Sequence, residues 1–172
     1  MSGSSKLVIY TIGHGNIALE DFLLLLGQHL IEVVVDVRSQ PYSHYVPQFG
    51  REQLQQSLAQ TGINYIYMGD TLGGRPRDGG FYRPDGQVNY NKLAGADFFL
   101  EAIDQVFQIS EQRCTVIMCS ESHYKECHRH FLIARVCVQK GFMVQHILPS
   151  GELVTVTPEQ FAPTRYQLSL FR

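Results

Sequence analysis

Apolar residues along the chain follow two alternating patterns, short continuous runs and positions spaced three or four residues apart. Continuous runs rich in Val and Ile are typical of strands buried on both faces, whereas the wider spacing predicts helices with one apolar face. The runs predict five strands, at residues 6–12, 31–37, 63–68, 115–118 and 143–148. The spaced positions predict helices between them, at residues 17–30, 51–60, 91–110 and 127–140. This alternation predicts an α/β fold of three layers, α/β/α, around a mainly parallel sheet of about five strands.

The segments between and after these elements complete a predicted single domain of residues 1–172. Asn16 is the expected N-cap of the first helix. Residues 69–90, with six Gly, two Pro and three Arg, form a long irregular connection, which in a compact domain is usually functional or mobile. Residues 149–172 are expected to form a hairpin and a tail, in which a strand at 153–157 gives the sheet a short antiparallel extension.

Composition excludes several classes of protein. The 172 residues include 14 Lys and Arg against 16 Asp and Glu, a net charge of −2, which argues against coating nucleic acid through bulk charge. No apolar run approaches the roughly 18 residues that cross a bilayer, and the first residues lack the basic and apolar regions of a secretory signal. The protein is therefore expected in the cytoplasm, without a membrane partner and with its four cysteines reduced.

Ionisable and nucleophilic residues follow four of the predicted strands. The candidates are His14 after the first, Asp36 and Arg38 after the second, Gly73, Gly74 and Arg75 after the third, and Cys119, Glu121, Cys127, His128 and Arg129 after the fourth. Because ligands bind beyond the carboxyl ends of parallel strands, these residues are expected to form one site at that edge of the sheet.

Cys119 is the candidate reactive thiol of this site. It lies between a buried strand and a helix, where backbone N–H groups and neighbouring cations would lower its pKa and favour a nucleophilic thiolate. His14 or His128 is then the acid/base, and Asp36 or Glu121 orients one of them. A structural thiol and a metal ligand remain alternative roles for Cys119.

Arginine accounts for ten of the 14 cations, and three arginines belong to the candidate loops. Arg38, Arg75 and Arg129 are predicted to hold a phosphate or carboxylate, because a planar guanidinium binds such groups in a bidentate manner. Gly73 and Gly74 would let the backbone approach this ligand, and Tyr42 is among the loop aromatics that can stack a base. The alternative is that some of these arginines pair with the neighbouring carboxylates.

A metal site is the other chemistry that these residues allow. Cys119, Cys127 and His128 would be the ligands, with His123, His130 or His14 as the fourth. The spacing between the cysteines is wider than in most zinc sites, and adjacent Cys127 and His128 would point to different helix faces. No cofactor is therefore favoured, and zinc is the candidate that this set would hold.

Four short motifs contain most of the candidate residues. They are Thr11-Ile12-Gly13-His14, Val35-Asp36-Val37-Arg38-Ser39 with Pro41, Leu72-Gly73-Gly74-Arg75, and Cys119-Ser120-Glu121 followed by Cys127-His128-Arg129. In this order they resemble the family called domain of unknown function 488, over about residues 7–148. The resemblance implies an α/β domain found in prokaryotes, with an active site around the Cys, His and Arg residues, and it implies no particular reaction.

The leading functional hypothesis is an intracellular enzyme, a thiol-dependent transferase or hydrolase, acting on a small phosphate- or nucleotide-containing ligand. It predicts that Cys119→Ser and Arg129→Ala abolish activity and leave the thermal midpoint nearly unchanged. One alternative is a metal-dependent hydrolase or zinc-stabilised domain that uses Cys119, Cys127 and His128. Another is a non-catalytic module that binds a nucleotide or single-stranded nucleic acid. The sequence does not indicate an oligomeric state.

Overall fold

A computed structural model describes residues 7–161 and places six strands in one sheet. The strands are β1 (Val8–Gly13), β2 (Val33–Asp36), β3 (Asn64–Tyr67), β4 (Thr115–Cys119), β5 (Met143–Ile147) and β6 (Leu153–Thr155). Their order is β3-β2-β4-β1-β5-β6, and every neighbouring pair is parallel except β5 and β6. The predicted α/β fold, the mainly parallel sheet and its antiparallel extension are confirmed.

Helices cover both faces of this sheet. They are α1 (Leu19–Gln28), α2 (Arg51–Gln60), α3 (Gly69–Leu72), α4 (Tyr90–Ala94), α5 (Asp97–Gln112), and α6 (Arg135–Gln139), which continues a π-helical segment (Arg129–Ala134). The apolar sides of α1 and α2 pack in one core with Val34, whereas α5 and α6 pack in a second core with Val33 and Val35. Alternate residues of β2 therefore enter opposite cores, as a strand between two helical layers requires. Among residues 7–161 no helix combines the length and the apolar composition that crossing a bilayer requires.

Strands β2 and β4 lie inside the sheet, and every residue of both is buried. Each fully buried Val or Ile side chain contributes about 1.5–3 kcal/mol to stability. The same burial forces the polar residues at the ends of these strands, Asp36 and Cys119, to find partners within the protein.

Several elements differ from the predicted ones for local reasons. Helix α1 begins at Leu19, and its N-cap position is Ala18 rather than Asn16, with no side-chain cap. The predicted helix at 91–110 is two helices, because Gly95 ends α4 and the extended backbone of Ala96 separates it from α5. Residues 69–90 are less irregular than expected, since they contain α3 and a 3-10 turn, Gly79–Phe81.

The C-terminal predictions are only partly within the described residues. Pro158–Phe161 forms a 3-10 turn in a segment for which no element is predicted. Residues 162–172 of the predicted tail lie outside the residues that the structure describes.

The chain changes direction across the sheet between the neighbouring strands β1 and β4. Strand β1 connects through α1 to β2 on one side, whereas β4 connects through α6 to β5 on the other side. Such a reversal opens a crevice beyond the carboxyl ends of the two strands, and ligands of open α/β sheets bind there. The register pairs Gly13 with Cys119 at this point, so the motifs that end β1 and β4 lie side by side.

Candidate functional site

A polar cavity of about 320 Å³ lies at this edge of the sheet. We call it the edge cavity; it is lined by Arg38, Ser39, Gln40, Gly74, Arg75, Tyr90, Cys119, Ser120, Glu121, Glu126 and His128. Six of these residues are among the sequence candidates: Arg38, Gly74, Arg75, Cys119, Glu121 and His128. Loops from three parallel strands thus meet there, as the strand-end rule predicts.

Arg38 reaches the edge cavity from a buried ion pair. Its Nε and Nη2 donate to the two oxygens of Asp36, at 2.9 and 2.6 Å, and its backbone N–H donates to Asp36 Oδ1 at 3.0 Å. The hydroxyl of Tyr65 donates to Asp36 Oδ2 at 2.6 Å. Burial alone would lower the pKa of Arg38, but the hydrogen bonds and charge of Asp36 outweigh it and raise that pKa. Asp36 is therefore the residue that positions Arg38, and it does not line the edge cavity.

His14 is bound on both ring nitrogens. Its Nδ1 lies 2.8 Å from the carbonyl oxygen of Gly15, so Nδ1 carries the proton and donates. Its Nε2 is then the acceptor for Arg38 Nη1 at 3.1 Å, and its ring stacks on Phe49 at 4.3 Å. Burial lowers the pKa of His14 to about 4. His14 is thus a neutral support for Arg38 rather than a free acid/base, which favours His128 of the two predicted candidates.

Tyr42 lies outside the edge cavity. It is an exposed residue on the wall of an adjoining cavity of about 470 Å³, which also contains His14. Arg38, Gln40 and Ser120 line both cavities and separate them. A ligand that extends past Arg38 would reach Tyr42.

Cys119, Glu121, Cys127 and His128 form a compact group, which we call the cysteine cluster. The Sγ atoms of Cys119 and Cys127 lie 2.9 and 3.2 Å from Glu121 Oε2, and both thiols donate to it. The same two sulfurs lie 3.6 and 3.8 Å from His128 Nδ1. Both cysteines are free, and both are buried together with His128.

The electrostatics of the cysteine cluster differ from the expected ones. The neighbouring Cys127 thiol and burial raise the pKa of Cys119 above its ordinary value. Burial alone would raise the pKa of Glu121 as well, but the hydrogen bonds from the two thiols lower it. Cys119 therefore rests as a neutral thiol beside a carboxylate, and the lowered pKa predicted for Cys119 is wrong. Nine residues lie between Cys119 and the helical segment that begins at Arg129, so the helix start does not stabilise the thiolate as expected.

The arrangement of Cys127 and His128 also corrects the prediction that adjacent residues point to different helix faces. Both residues precede the π-helical segment, with Cys127 in extended conformation and His128 turning into the helix. Extended backbone at Cys127 lets its side chain and that of His128 meet Cys119 from one side. None of the three histidines predicted as a fourth ligand joins the cluster: His14 is hydrogen-bonded to Arg38, His130 is hydrogen-bonded to His146, and His123 is exposed outside it. The polar side chain beside both sulfurs is that of Glu121.

Arg129 holds the loop and does not face the ligand. Its side chain is 1% exposed, and Nη1 and Nη2 donate to the carbonyl oxygens of Glu121 and Ser122 at 2.5 and 3.1 Å. Arg129 does not line the edge cavity. The prediction that it binds an anion is therefore wrong, because the loop after β4 folds back over the helix start and uses the guanidinium to satisfy its own carbonyls. A Cβ at Gly13 would overlap the Glu121 carbonyl, so the motif glycine lets this loop pack on β1.

Arg75 is the arginine left for a ligand. It is exposed on the wall of the edge cavity, and its guanidinium has no hydrogen bond or ion pair within residues 7–161. Its backbone N–H donates to Ser39 Oγ at 3.0 Å, which fixes the loop. Gly73 and Gly74 allow this packing: a Cβ at Gly73 would overlap Ser39, and one at Gly74 would overlap the His128 ring. Only Gly74 of the two lines the edge cavity, so close backbone packing rather than ligand contact explains Gly73.

Some wall residues escape the strand-end argument. Tyr90 and Glu126 line the edge cavity although neither directly follows a strand, whereas Ser39, Gln40 and Ser120 follow β2 and β4 but are not among the predicted site residues. Tyr65, the partner of Asp36, lies on β3 within the run that predicts that strand. Tyr65 could be predicted as a partner of Asp36 only once the order of the strands is known, because that order places β3 beside the strand that ends in Asp36.

A buried histidine pair behind the site predicts how stability depends on pH. His146 Nε2 lies 3.0 Å from His130 Nδ1, and Thr11 Oγ1 lies 2.6 Å from His146 Nδ1. Burial lowers the pKa of His146 to about 3, as it lowers that of His14 to about 4. Below pH 6.5 the unfolded chain binds protons that the folded protein does not. The free energy of unfolding should therefore fall as the pH falls from 7.5 to 5, by up to about 1.4 kcal/mol per pH unit for each histidine.

Urea unfolding of the wild type and of His146→Gln across this pH range checks the prediction. The variant should show a shallower decrease with falling pH, because one neutral imidazole is gone. At pH 7.5 the imidazole is neutral in both states, so the difference there reports packing alone and serves as the internal control. Equal slopes for the two proteins would rule out the assigned role of His146.

Comparison with known proteins identifies a family. No curated protein and no solved structure matches the chain. The family model "Domain of unknown function DUF488" matches residues 18–136, a shorter span than the 7–148 indicated by the motifs. The match covers more than half of the chain and includes all of the candidate residues except His14. The chain therefore belongs to the DUF488 family.

Proposed function

We propose that the protein is an enzyme that binds a small substrate through a phosphate or carboxylate group in the edge cavity and acts on it with the cysteine cluster. The observation that carries this proposal is the position of Arg75. Its guanidinium, unpartnered within the described chain, lines the same cavity as Cys119, Glu121 and His128. A cation with no partner among residues 7–161, in one cavity with nucleophilic and acid/base side chains, supports the binding and the chemistry of an anionic substrate together.

The charges around the cavity support one strong anion contact rather than several. Asp36 neutralises the charge of Arg38 and accepts hydrogen bonds from its Nε and Nη2. Arg38 therefore adds a fixed guanidinium group to the cavity wall but little net positive charge. Glu121 and Glu126 also line the cavity and would repel an anion near the cysteine cluster. The charged group of the substrate therefore belongs at Arg75, and its uncharged part belongs beside the cluster.

Cys119 is the essential thiol of the proposed site. It is protonated at rest and donates to Glu121, so a proton can pass between the two groups when a substrate arrives. His128 lies next to both sulfurs, and its ring supplies a second group that can accept or donate a proton there. A reducing compartment keeps both thiols available, and we place the protein in the cytoplasm on that ground.

Replacing Arg75 by Ala is expected to weaken anion binding about 10- to 100-fold, since a charge-assisted hydrogen bond contributes roughly 1.5–3 kcal/mol. Isothermal titration of the full chain with inorganic phosphate and with a nucleoside monophosphate measures this change. The matched control is Arg77→Ala, since Arg77 is 93% exposed and already paired with Asp70. That control should bind like the wild type. Equal losses for both variants, or none for Arg75→Ala, would remove Arg75 as the anion contact.

Turnover distinguishes the proposed enzyme from a binding module. Nucleotides and phosphate esters are incubated with the wild type, Cys119→Ser and Glu121→Gln, and products are identified by mass spectrometry. The proposal expects turnover by the wild type alone, with circular dichroism showing that the variants are folded. Tight binding through Arg75 without turnover of any ligand would instead establish a non-catalytic module.

A further inference from the structure

We propose that Cys119, Cys127 and His128 bind one divalent transition-metal ion of the zinc class. The proposal rests on the proposed function, because the ion would lie on the wall of the same edge cavity. It gives Cys119 a second role: when the ion binds, the thiol loses its proton and the thiolate becomes a metal ligand.

The two sulfur-to-nitrogen distances in this group match those of a tetrahedral site. With Zn–S near 2.3 Å and Zn–N near 2.1 Å, the sulfur-to-nitrogen edge of a tetrahedron is about 3.6 Å. The observed distances from His128 Nδ1 are 3.6 Å to Cys119 Sγ and 3.8 Å to Cys127 Sγ. All three donor atoms lie within 4.8 Å of one another. An ion can therefore bind with little movement of these side chains.

The donor set selects the class of metal. Two thiolates and an imidazole suit zinc and similar ions, whereas magnesium and calcium require oxygen ligands. His128 Nδ1 points to the sulfurs, so its lone pair is available once the thiol protons leave. Its Nε2 is buried and has no hydrogen-bond partner in the described part of the chain. No residue there therefore holds the ring in the tautomer that carries its proton on Nδ1, the nitrogen that would bind the ion.

Neighbouring groups support the charged form of the ligands. The backbone N–H of Arg129 donates to Cys127 Sγ at 3.4 Å, an interaction that favours the thiolate. The Arg129 side chain holds the carbonyl oxygens of Glu121 and Ser122, and thereby the loop between the two cysteines. The wide spacing between Cys119 and Cys127 is therefore bridged by a loop that the structure fixes in place.

Three protein ligands leave the fourth position of a tetrahedral ion free. Cys119 and His128 line the edge cavity, and Glu121 lies 2.9 and 3.2 Å from the two sulfurs, so that position belongs on the cavity side, next to Glu121. Sites with three ligands and one open position are typical of catalytic rather than structural zinc. A substrate held by Arg75 would share the cavity with the ion.

Metal analysis of the full chain, purified without an affinity tag from zinc-supplemented medium, tests the proposal. About one equivalent of zinc per chain is expected by mass spectrometry of the elements. After removal with a chelator, the protein should bind Zn²⁺ in competition with a chromophoric chelator, and Co²⁺ should give the sulfur-to-cobalt charge-transfer absorption of thiolate ligands. Less than a tenth of an equivalent, together with no competition and no such absorption, would overturn the proposal.

Variants assign the ligands. Cys127→Ser and His128→Gln each remove a direct ligand and should weaken Zn²⁺ binding by at least the roughly 10- to 100-fold that loss of an outer-shell partner costs. The matched control is Cys114→Ser, a cysteine outside the cluster whose thiol donates to the His29 carbonyl, and it should bind Zn²⁺ like the wild type. Unchanged affinity in folded Cys127→Ser and His128→Gln would overturn the assignment. If either variant fails to fold, the cobalt spectrum of the wild type still shows whether thiolates bind the ion.

Phosphate titration of the metal-free protein separates this inference from the proposed function. Binding that depends on Arg75, in a protein that takes up no zinc or cobalt, would keep the anion site and overturn the metal site. Zinc binding without any anion binding would support the metal site and contradict the proposed function.

Discussion

Replacing Asp36 by Asn is expected to lower the free energy of unfolding by about 3–5 kcal/mol, because it leaves the buried charge of Arg38 without its partner. Asp36 is fully buried and accepts four hydrogen bonds, three from Arg38 and one from Tyr65. An amide of the same size offers one acceptor oxygen and places an NH₂ group against these donors. Removing one side of a buried ion pair costs more than the pair itself contributes.

Chemical denaturation followed by circular dichroism measures this loss. Asp70→Asn is the matched control, because it breaks the exposed pair with Arg77 and should change stability by less than about 0.5 kcal/mol. A loss below about 1 kcal/mol in Asp36→Asn would show that the Arg38 charge is solvated in the folded protein. Asp36 would then not be the residue that positions Arg38.

Replacing Arg129 by Ala is expected to cost about 3 kcal/mol or more. The carbonyl groups of Glu121 and Ser122 lose their donors, and the packing of the long buried side chain of Arg129 is lost as well. This expectation replaces the one drawn from sequence, in which Arg129 binds the substrate and its loss leaves the thermal midpoint unchanged. The cysteine cluster should be disordered in the same variant, since the loop that carries Glu121 is released.

Thermal and chemical unfolding of Arg129→Ala, beside Arg77→Ala, checks this result. The exposed Arg77 should contribute less than about 0.5 kcal/mol. An Arg129→Ala protein that is as stable as the wild type but binds phosphate more weakly would contradict the structural role. Arg129 would then be a residue that binds the ligand.

The fold was predictable because its central strands are buried on both faces. A β-branched run such as that of β2 is typical of a strand buried on both faces in a domain of this size. The alternation of such strands with helices then implies a parallel sheet. The helix boundaries were less predictable. Gly95 and Ala96 interrupt a continuous apolar pattern through backbone conformation alone, and Asn16 resembles an N-cap although the helix begins two residues after the position it would require.

The position of the site was predictable, and the partners of its side chains were not. The rule for strand ends brings Arg38, Arg75 and Cys119 to one edge without any knowledge of packing. It does not show that Arg38 is hydrogen-bonded to Asp36 or that Arg129 is hydrogen-bonded to carbonyl oxygens, because those partners depend on side-chain rotamers and on the path of the loop. The meeting of Cys127 and His128 with Cys119 depends on extended backbone at Cys127, which the residue spacing does not encode.

The proposed edge cavity receives the anionic group of a ligand beside the cysteine cluster. The most direct test is an NMR titration of the isotope-labelled protein with inorganic phosphate, following backbone amide shifts of assigned residues. We expect saturable shifts at the cavity wall, centred on Ser39, Gly74, Arg75, Ser120 and Glu121, and we expect Arg75→Ala to abolish them. Shifts confined to residues away from this cavity, or no saturable shifts at millimolar phosphate, would contradict it.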